Sequence, residues 1–301
     1  MRYYSLNDYC KKTFGEKVYK LSLNGGMTCP NRDGSLSYTG CFYCSEGGSG
    51  DFASDSSLPI AAQLSEARGR LSSKTDCRKF IAYFQAFTNT YAPVEYLEKI
   101  FYEAISDPSV CVLSIGTRTD CFNDEIYDLL SRLNNIKPVW IELGLQSIHQ
   151  STLDAMNTHT KVTDFTIVCN ELNKRNIKVI AHLILGLPGE TKEMMLESVD
   201  FAAKSNIFGI KLQLLHVLRN TKLAELYEKD PFPLFSLEEY CDFIVDCIER
   251  LPPGMVIHRM TGDGPRKLLI APMWSTDKKR VLNTINQNLI KRNTYQGRFF
   301  I

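Results

Sequence analysis

Short apolar runs alternate with amphipathic stretches along most of the 301-residue chain. The apolar runs, at 18–23, 80–84, 110–115, 139–143, 178–185, 210–215 and 255–258, are compact. Several are rich in β-branched residues, which suits strands buried on both faces. Between them, helical spacing of apolar positions covers 59–71, 93–105, 123–133, 163–175, 191–205 and 236–251. Pro93 suits a first helical turn, and Asn123 followed by Asp124 and Glu125 suits a helix start. Alternation of this kind predicts an α/β fold whose parallel strands are joined by right-handed crossovers. The number of units, without a dinucleotide-binding glycine fingerprint, favours a full or partial (β/α)6-type barrel of TIM-like form, with a doubly wound open sheet as the alternative.

Composition narrows the class without naming it. With 44% hydrophobic and 23% charged residues, the chain is neither disordered nor fibrous. Residues 1–20 mix charge and polarity throughout, unlike a signal peptide, and no apolar run approaches the length of a membrane span. A cytoplasmic location is expected, and no membrane partner. There, the ten cysteines are expected to be buried, metal-bound or catalytic rather than paired.

The net charge of +1 hides a division. Nine basic residues after position 258 face only Asp263 and Asp277, which leaves the preceding part acidic. The expected organisation is a core of residues 1–254 with a lead-in segment, then a basic extension over 255–301 holding the last strand and a helix at 280–292. Val281, Leu282, Ile285 and Leu289 give that helix an apolar stripe. It reads either as a helix docked on the barrel with solvated cations or as a nucleic-acid contact. The run His258, Arg259, Met260, Thr261, Gly262, Asp263, Gly264, Pro265, Arg266 has glycines and arginines suited to phosphate. Arg259, Arg266, Lys267, Lys278, Lys279 and Arg280 are the candidate RNA-binding residues.

Cys29, Cys41 and Cys44 carry the strongest chemical signal. They follow the first strand directly, at a carboxyl end, where βα barrels build their sites. Cys41 and Cys44 have the spacing that lets two thiolates converge on one metal or cluster. Turn formers between 30 and 40 can fold back to deliver Cys29. No nearby His or Cys offers a fourth ligand, so three cysteines would leave one iron of a [4Fe–4S] cluster open. A zinc knuckle completed from elsewhere and three unligated cysteines are the other readings. Cys111, Cys169, Cys241 and Cys247 sit in apolar patterns as core residues, and Cys121 stands just past a strand end.

At these residues the sequence resembles the radical SAM superfamily, nearly end to end. The long gap between Cys29 and Cys41 departs from the commonest spacing and is similar to the branch related to the Elongator catalytic subunit. The stretches 20–52 (KLSLNGGMTCPNRDGSLSYTGCFYCSEGGSGDF) and 256–274 (VIHRMTGDGPRKLLIAPMW) resemble the YhcC/YtqA-type proteins. The resemblance implies that Cys29, Cys41 and Cys44 hold one [4Fe–4S] cluster, with S-adenosylmethionine on its open iron and a 5′-deoxyadenosyl radical as the product of their reaction. It also implies an external one-electron donor of flavodoxin or ferredoxin type.

Other strand ends then become candidates for the cofactor. Tyr43 lies between two ligands. Gln85, Thr88 and Asn89 follow the second strand, in place of the superfamily's usual Gly-Gly-Glu turn. Arg118 and Asp120 resemble an Arg-Pro-Asp turn, or else form a structural ion pair. Glu142, inside an apolar strand, would need a partner if it faced the barrel, and Gln146 shares its side. His182 is either a satisfied core histidine or lies on the cofactor side. Leu187 belongs to a Gly-Leu-Pro-Gly turn at 186–189 that resembles the superfamily's adenine-facing turn, and His216 at a strand end can face substrate. The YhcC/YtqA resemblance implies a tRNA substrate, with conversion of a 5-carboxymethylaminomethyl group on the wobble uridine to aminomethyl. A radical SAM enzyme acting on a small molecule such as a porphyrin, and a non-enzymatic iron–sulfur or zinc module, are the rival functions.

Overall fold

The computed structural model describes residues 2–72, 76–262 and 264–300; Asp263 of the predicted phosphate motif and the outermost residues of both predicted domains lie outside them. Six strands follow one another in chain order and pair in parallel: β1 (Tyr19–Leu23), β2 (Phe80–Phe84), β3 (Val110–Thr117), β4 (Val139–Gln146), β5 (Lys178–Leu185) and β6 (Gly209–Leu214). A short antiparallel ribbon joins β7 (Val217–Leu218) to β9 (Leu269–Ala271), and β8 (Val256–Arg259) adds a seventh parallel strand beside β6.

The predicted alternation holds because each helix is stopped and started by local chemistry. In α4 (Asp124–Asn134), the Asn123 side chain accepts from the Ile126 amide. In α7 (Lys192–Lys204), Thr191 does the same for Met194. A capping box of Ser236 and Glu239 opens α9 (Leu237–Arg250). With α2 (Ile60–Ser72), α3 (Val94–Ser106) and α6 (Val162–Lys174), these cover the outer face of the sheet. Residues such as Leu21, Phe84, Leu113, Ile141, Leu183 and Leu212 point outward into that shared core. Cys169, Cys241 and Cys247 are buried there as expected, whereas Cys111 is half-buried and donates to the Phe80 carbonyl at 3.3 Å.

Alternate residues point inward, and they show that the sheet is curled. Lys20 of β1 and Lys211 of β6 both contact Glu142 of β4. In a flat sheet with strands about 4.8 Å apart, β1 and β6 would lie roughly 24 Å from each other. Only a sheet rolled into a partial barrel brings both ammonium groups to one carboxylate. The open-sheet alternative is therefore excluded.

Four elements were not evident from the pattern. The first is α1 (Leu6–Phe14), capped by Ser5 and ended by Gly15 at φ 80°. It plugs the amino end of the barrel, where Tyr9 packs its ring against Trp140 and Phe208. It is short, with only Leu6, Tyr9, Cys10 and Phe14 apolar among its nine residues. The others are the short α5 (Gln150–Ala155), α8 (Lys222–Lys229) and the β7–β9 ribbon. The predicted C-terminal helix is α10 (Lys278–Lys291), which packs on α9 through the fully buried Val281, Ile285 and Leu289. Leu282, predicted for the same stripe, is left on the exposed side.

Candidate active site

The loop after β1 folds back on itself through its own backbone. The Arg32 and Asp33 amides donate to the Cys29 carbonyl at 2.8 and 3.2 Å, and the Cys44 amide donates to Cys41 at 2.9 Å. Buried Asn31 ties the two halves together: its carbonyl accepts from Gly40 at 2.7 Å, and its side chain donates to the Cys41 sulfur at 3.4 Å. Arg32 donates to the Cys44 and Ser45 carbonyls at 2.9 and 2.6 Å. Gly40 takes φ 73°, where an added Cβ would press into the Arg32 side chain at 2.8 Å. Gly48 and Gly50 let the loop lie against the turn after β2, since a Cβ at either would meet Phe87 or Ala86 at 2.4 Å.

This loop delivers Cys29, Cys41 and Cys44 to the rim of one cavity of 230 Å³ at the carboxyl end of the strands. Burial pushes the Cys41 thiol up to about 11 and raises Cys44 as well. Such thiols stay protonated at neutral pH unless a metal binds them. Among the described residues, no three His, Cys, Asp or Glu side chains converge closely enough for a single ion. A tetrahedral zinc needs its sulfurs all about 2.3 Å from one atom. A four-iron cluster gives each cysteine its own iron, and so suits thiols spread around a rim.

Beneath the rim lies a layer of polar side chains, one from each of six strands. Glu142, fully buried, is its centre. One carboxylate oxygen accepts from Lys20 and from Ser114 (2.7 Å), and the other accepts from Lys211 and faces His182 Nε2 at 2.9 Å. Lys211 also donates to the Tyr83 hydroxyl at 3.3 Å, and both lysines lie over the Tyr83 ring. Although burial opposes ionisation, the lysines and His182 hold the Glu142 carboxyl well below its usual range. Burial draws His182 down to about 4, with Lys211 adding to the effect, so that histidine is neutral.

The predicted residues divide clearly. Tyr43, Gln85, Thr88, Arg118, Glu142, Gln146, His182 and His216 line the cavity with the cysteines. Gln146 holds φ 64° at a β-bulge, and a Cβ on Gly144 would lie 2.6 Å from its amide nitrogen, so the glycine makes room for that side chain. Strain at a site-lining residue is a feature of functional sites. Asn89 does not reach the cavity: it is buried, with its amide donating to the Phe84 and Gly116 carbonyls at 3.1 and 2.8 Å, closing the turn after β2. Asp120 pairs bidentately with Arg118 at 2.8 and 2.7 Å and faces a separate cleft together with Cys121. Leu187 is buried in a small apolar cluster beside Leu215 and Ile184, in a turn set by Gly186 and Gly189 at positive φ.

Of the basic residues, Arg266, Lys267, Lys278, Lys279 and Arg280 are exposed, whereas Arg259 lines the cavity from β8. The pattern left four members of the polar layer unmarked: Lys20, Tyr83, Ser114 and Lys211. Lys20 and Lys211 carried the signal that marked Glu142, a charged residue inside an apolar strand.

A curled parallel half-barrel with a three-cysteine loop at its carboxyl rim defines a class of cofactor-dependent enzymes built on partial βα barrels. Residues 28–202 match the radical SAM superfamily, and residues 207–291 match the radical SAM C-terminal domain. The chain is 42% identical over 299 residues to YtqA of Bacillus subtilis (strain 168), covering 99% of this chain and 93% of that protein. A more distant relative is the tRNA uridine(34) acetyltransferase of Methanocaldococcus jannaschii, 26% identical over 169 residues, or 53% of this chain and 30% of that one. The structure of the archaeal Methanocaldococcus infernus Elp3 superposes with a TM-score of 0.70 over 93% of this chain, at 16% identity, a likeness of fold; this chain spans 64% of that one. The chain belongs to the radical SAM superfamily, in its YhcC/YtqA-type, Elongator-related branch. It is a radical SAM enzyme, and members of the family bind a [4Fe–4S] cluster and S-adenosylmethionine. Among the described residues, no helix is long and apolar enough to cross a membrane.

Proposed function

We propose that the protein modifies the wobble uridine of tRNA, converting a 5-carboxymethylaminomethyl side chain to aminomethyl. In this reading Cys29, Cys41 and Cys44 hold the cluster, and Tyr43, Gln85, Thr88, Arg118, Gln146 and His182 surround S-adenosylmethionine. When bound, these two cofactors supply a 5′-deoxyadenosyl radical able to take a hydrogen atom from an unreactive carbon. An external one-electron donor of flavodoxin or ferredoxin type feeds the cluster. The chain's own part is to orient the reactants, exclude water and hold charge at the reacting group.

The observation that carries the RNA reading is the run Lys278, Lys279, Arg280, exposed at the first turn of α10. Cations at a helix start oppose the helix dipole, so helix stability does not account for three of them in this turn, where Asp277 is the cap and Glu238 lies 3.8 Å from Arg280. Lys278 acts electrostatically on both Arg259 and His216, which line the cavity. The cations thus run from the surface to the site, as a phosphate backbone entering beside it would require. The archaeal relative, a tRNA uridine(34) acetyltransferase, supports the same assignment.

Incubating the reconstituted enzyme with S-adenosylmethionine, reductant and tRNA bearing the carboxymethylaminomethyl group tests the reading by nucleoside mass. Unchanged mass despite 5′-deoxyadenosine release sinks it, and tRNA binding that is absent or insensitive to salt favours a small-molecule substrate. Cys29→Ala, Cys41→Ala and Cys44→Ala are each expected to abolish cluster absorbance and iron content after anaerobic reconstitution. A full cluster in any of them overturns that residue's role as a ligand.

A further inference from the structure

Asn31 joins the cysteine loop to the segment after α5. It stands two residues beyond Cys29 and is fully buried, and its own carbonyl accepts from Gly40, the residue before Cys41, at 2.7 Å. That backbone bond sets its side chain beside Cys41. The amide nitrogen then has two partners, the Asn157 carbonyl at 2.6 Å and the Cys41 sulfur at 3.4 Å. An asparagine amide can be turned end for end, and here the Asn157 carbonyl decides its orientation. The reverse orientation would set two acceptor oxygens against each other. The nitrogen therefore faces Asn157, and its second hydrogen is left for the sulfur.

This orientation leaves the side-chain oxygen of Asn31 buried and without a partner among the described residues. An unpaired buried acceptor is unfavourable. Fastening the loop does not require it, because the Asn157 side chain already donates to the Gly40 carbonyl at 2.9 Å and to the Thr39 hydroxyl at 3.0 Å. The orientation does secure an N–H donor at Cys41. Toward a neutral thiol such a donor is weak, and toward a thiolate that holds iron it makes a charge-assisted bond.

We propose that Asn31 is a positioning residue for the iron–sulfur cluster, and that its N–H to the Cys41 sulfur raises the cluster's reduction potential. The inference rests on the reading of Cys41 as a ligand given above. Reduction adds negative charge that the ligand sulfurs share, so the bond is stronger in the reduced state and favours it. Asn31 thereby makes the cluster easier for a one-electron donor to reduce.

The test has two parts, neither of which uses tRNA. In the first, the wild-type chain is produced with asparagine carrying 15N in its side chain, reconstituted anaerobically and reduced. Pulsed EPR is expected to show a weak nitrogen coupling to the cluster that changes with this label, to persist in Asn157→Gly and to vanish in Asn31→Leu. In the second, the reduction potential of the cluster is measured by EPR without S-adenosylmethionine. Asn31→Leu is expected to lower the equilibrium constant for reduction about tenfold, which for one electron is about 59 mV. Asn157→Gly is expected to match the wild type, since glycine accepts φ 53° and the backbone carbonyl that holds Asn31 remains.

A reduced wild-type cluster with no coupling to the labelled nitrogen overturns the inference, as does a potential in Asn31→Leu equal to that of the wild type. An equal fall in Asn31→Leu and Asn157→Gly also overturns it, and assigns the effect to a loosened loop. If Asn31→Leu takes up no iron, the labelling of the wild type and of Asn157→Gly decides. A full cluster in Cys41→Ala overturns the ligand reading, and the inference with it. Loss of the cluster in Cys41→Ala, with no labelled coupling in the wild type, leaves that reading standing and removes only the role of Asn31.

Discussion

His182, His216 and His258 are held away from the water that would charge them. Burial draws His182 and His216 each to about 4, helped by Lys211 for the first and by Arg259 and Lys278 for the second. His258 is lowered well below its ordinary value, also by burial, with its ring edge-on to Trp140 and both nitrogens without a hydrogen-bond partner among the described residues. In the unfolded chain each would take a proton near about pH 6.5. Stability is therefore fully present above that value, falls as pH drops, and levels once the folded state also protonates, near pH 4 for the first two. The slope approaches about 1.4 kcal/mol per pH unit for each histidine. Urea unfolding at pH 7.5, 6 and 5 is expected to show that fall, and His216→Asn to flatten it; a midpoint unchanged from pH 7.5 to 5 contradicts the assignment. His182 shows how far single residues were legible. Its apolar strand was clear in the sequence, but its partner Glu142 lies on the neighbouring strand, and no spacing along one strand reveals that pairing. Asn89 shows the opposite failure, since a polar residue after a strand serves a turn as readily as a ligand.

At the level of elements, α10 docks on α9, and the proposed RNA contact would use a part of it that the docking leaves exposed. One face docks on α9 through Val281, Ile285 and Leu289, while its first turn carries three exposed cations. Each residue type was visible, and the stripe was correct except for Leu282, which a small rotation of the helix turns outward. Because the cations lie off the packed face, they can be removed without disturbing the packing. Lys278→Gln, Lys279→Gln and Arg280→Gln combined are expected to weaken tRNA binding and to reduce the slope of log K against log salt by about 2 to 3. The thermal midpoint is expected to hold or rise slightly, because like charges leave the positive end of the helix dipole. An unchanged salt slope would show that the RNA does not touch this turn. The strand ends were less legible than the helix. Both β3 and β4 continue past the predicted limits, to Thr117 and Gln146, because neighbouring strands go on pairing where apolar character fades.

For the molecule as a whole, periodicity marked the parallel strands and their outer helices, while the strand order stayed open between a barrel and a doubly wound sheet. Curvature was not in that pattern, because it depends on which inward side chains meet, and the polar layer under the cavity follows from the curl. Below that layer the barrel is filled by Ile81, Val112, Trp140 and Ile180, with α1 as its stopper. Tyr9→Ala removes the ring that joins α1 to Trp140 and Phe208 and is expected to cost about 3 kcal/mol, read from urea unfolding. A loss below about 1 kcal/mol would show that α1 is only loosely attached. One further arrangement ties distant parts of the chain together. Tyr4 and Ser5 lie along β8, where the Ile257 amide donates to Tyr4 at 2.9 Å, and Gln296 bonds both Arg2 and Tyr4 at 2.8 Å. Residues 2–5 thus cover the last strand of the sheet, whose edge would otherwise invite pairing with another molecule. On the ribosome those first residues emerge long before their partners at 256–257 and 296. The edge of β8 can be sealed only once residues 256–257 and 296 have been made, so this long-range contact belongs to the closing stage of folding.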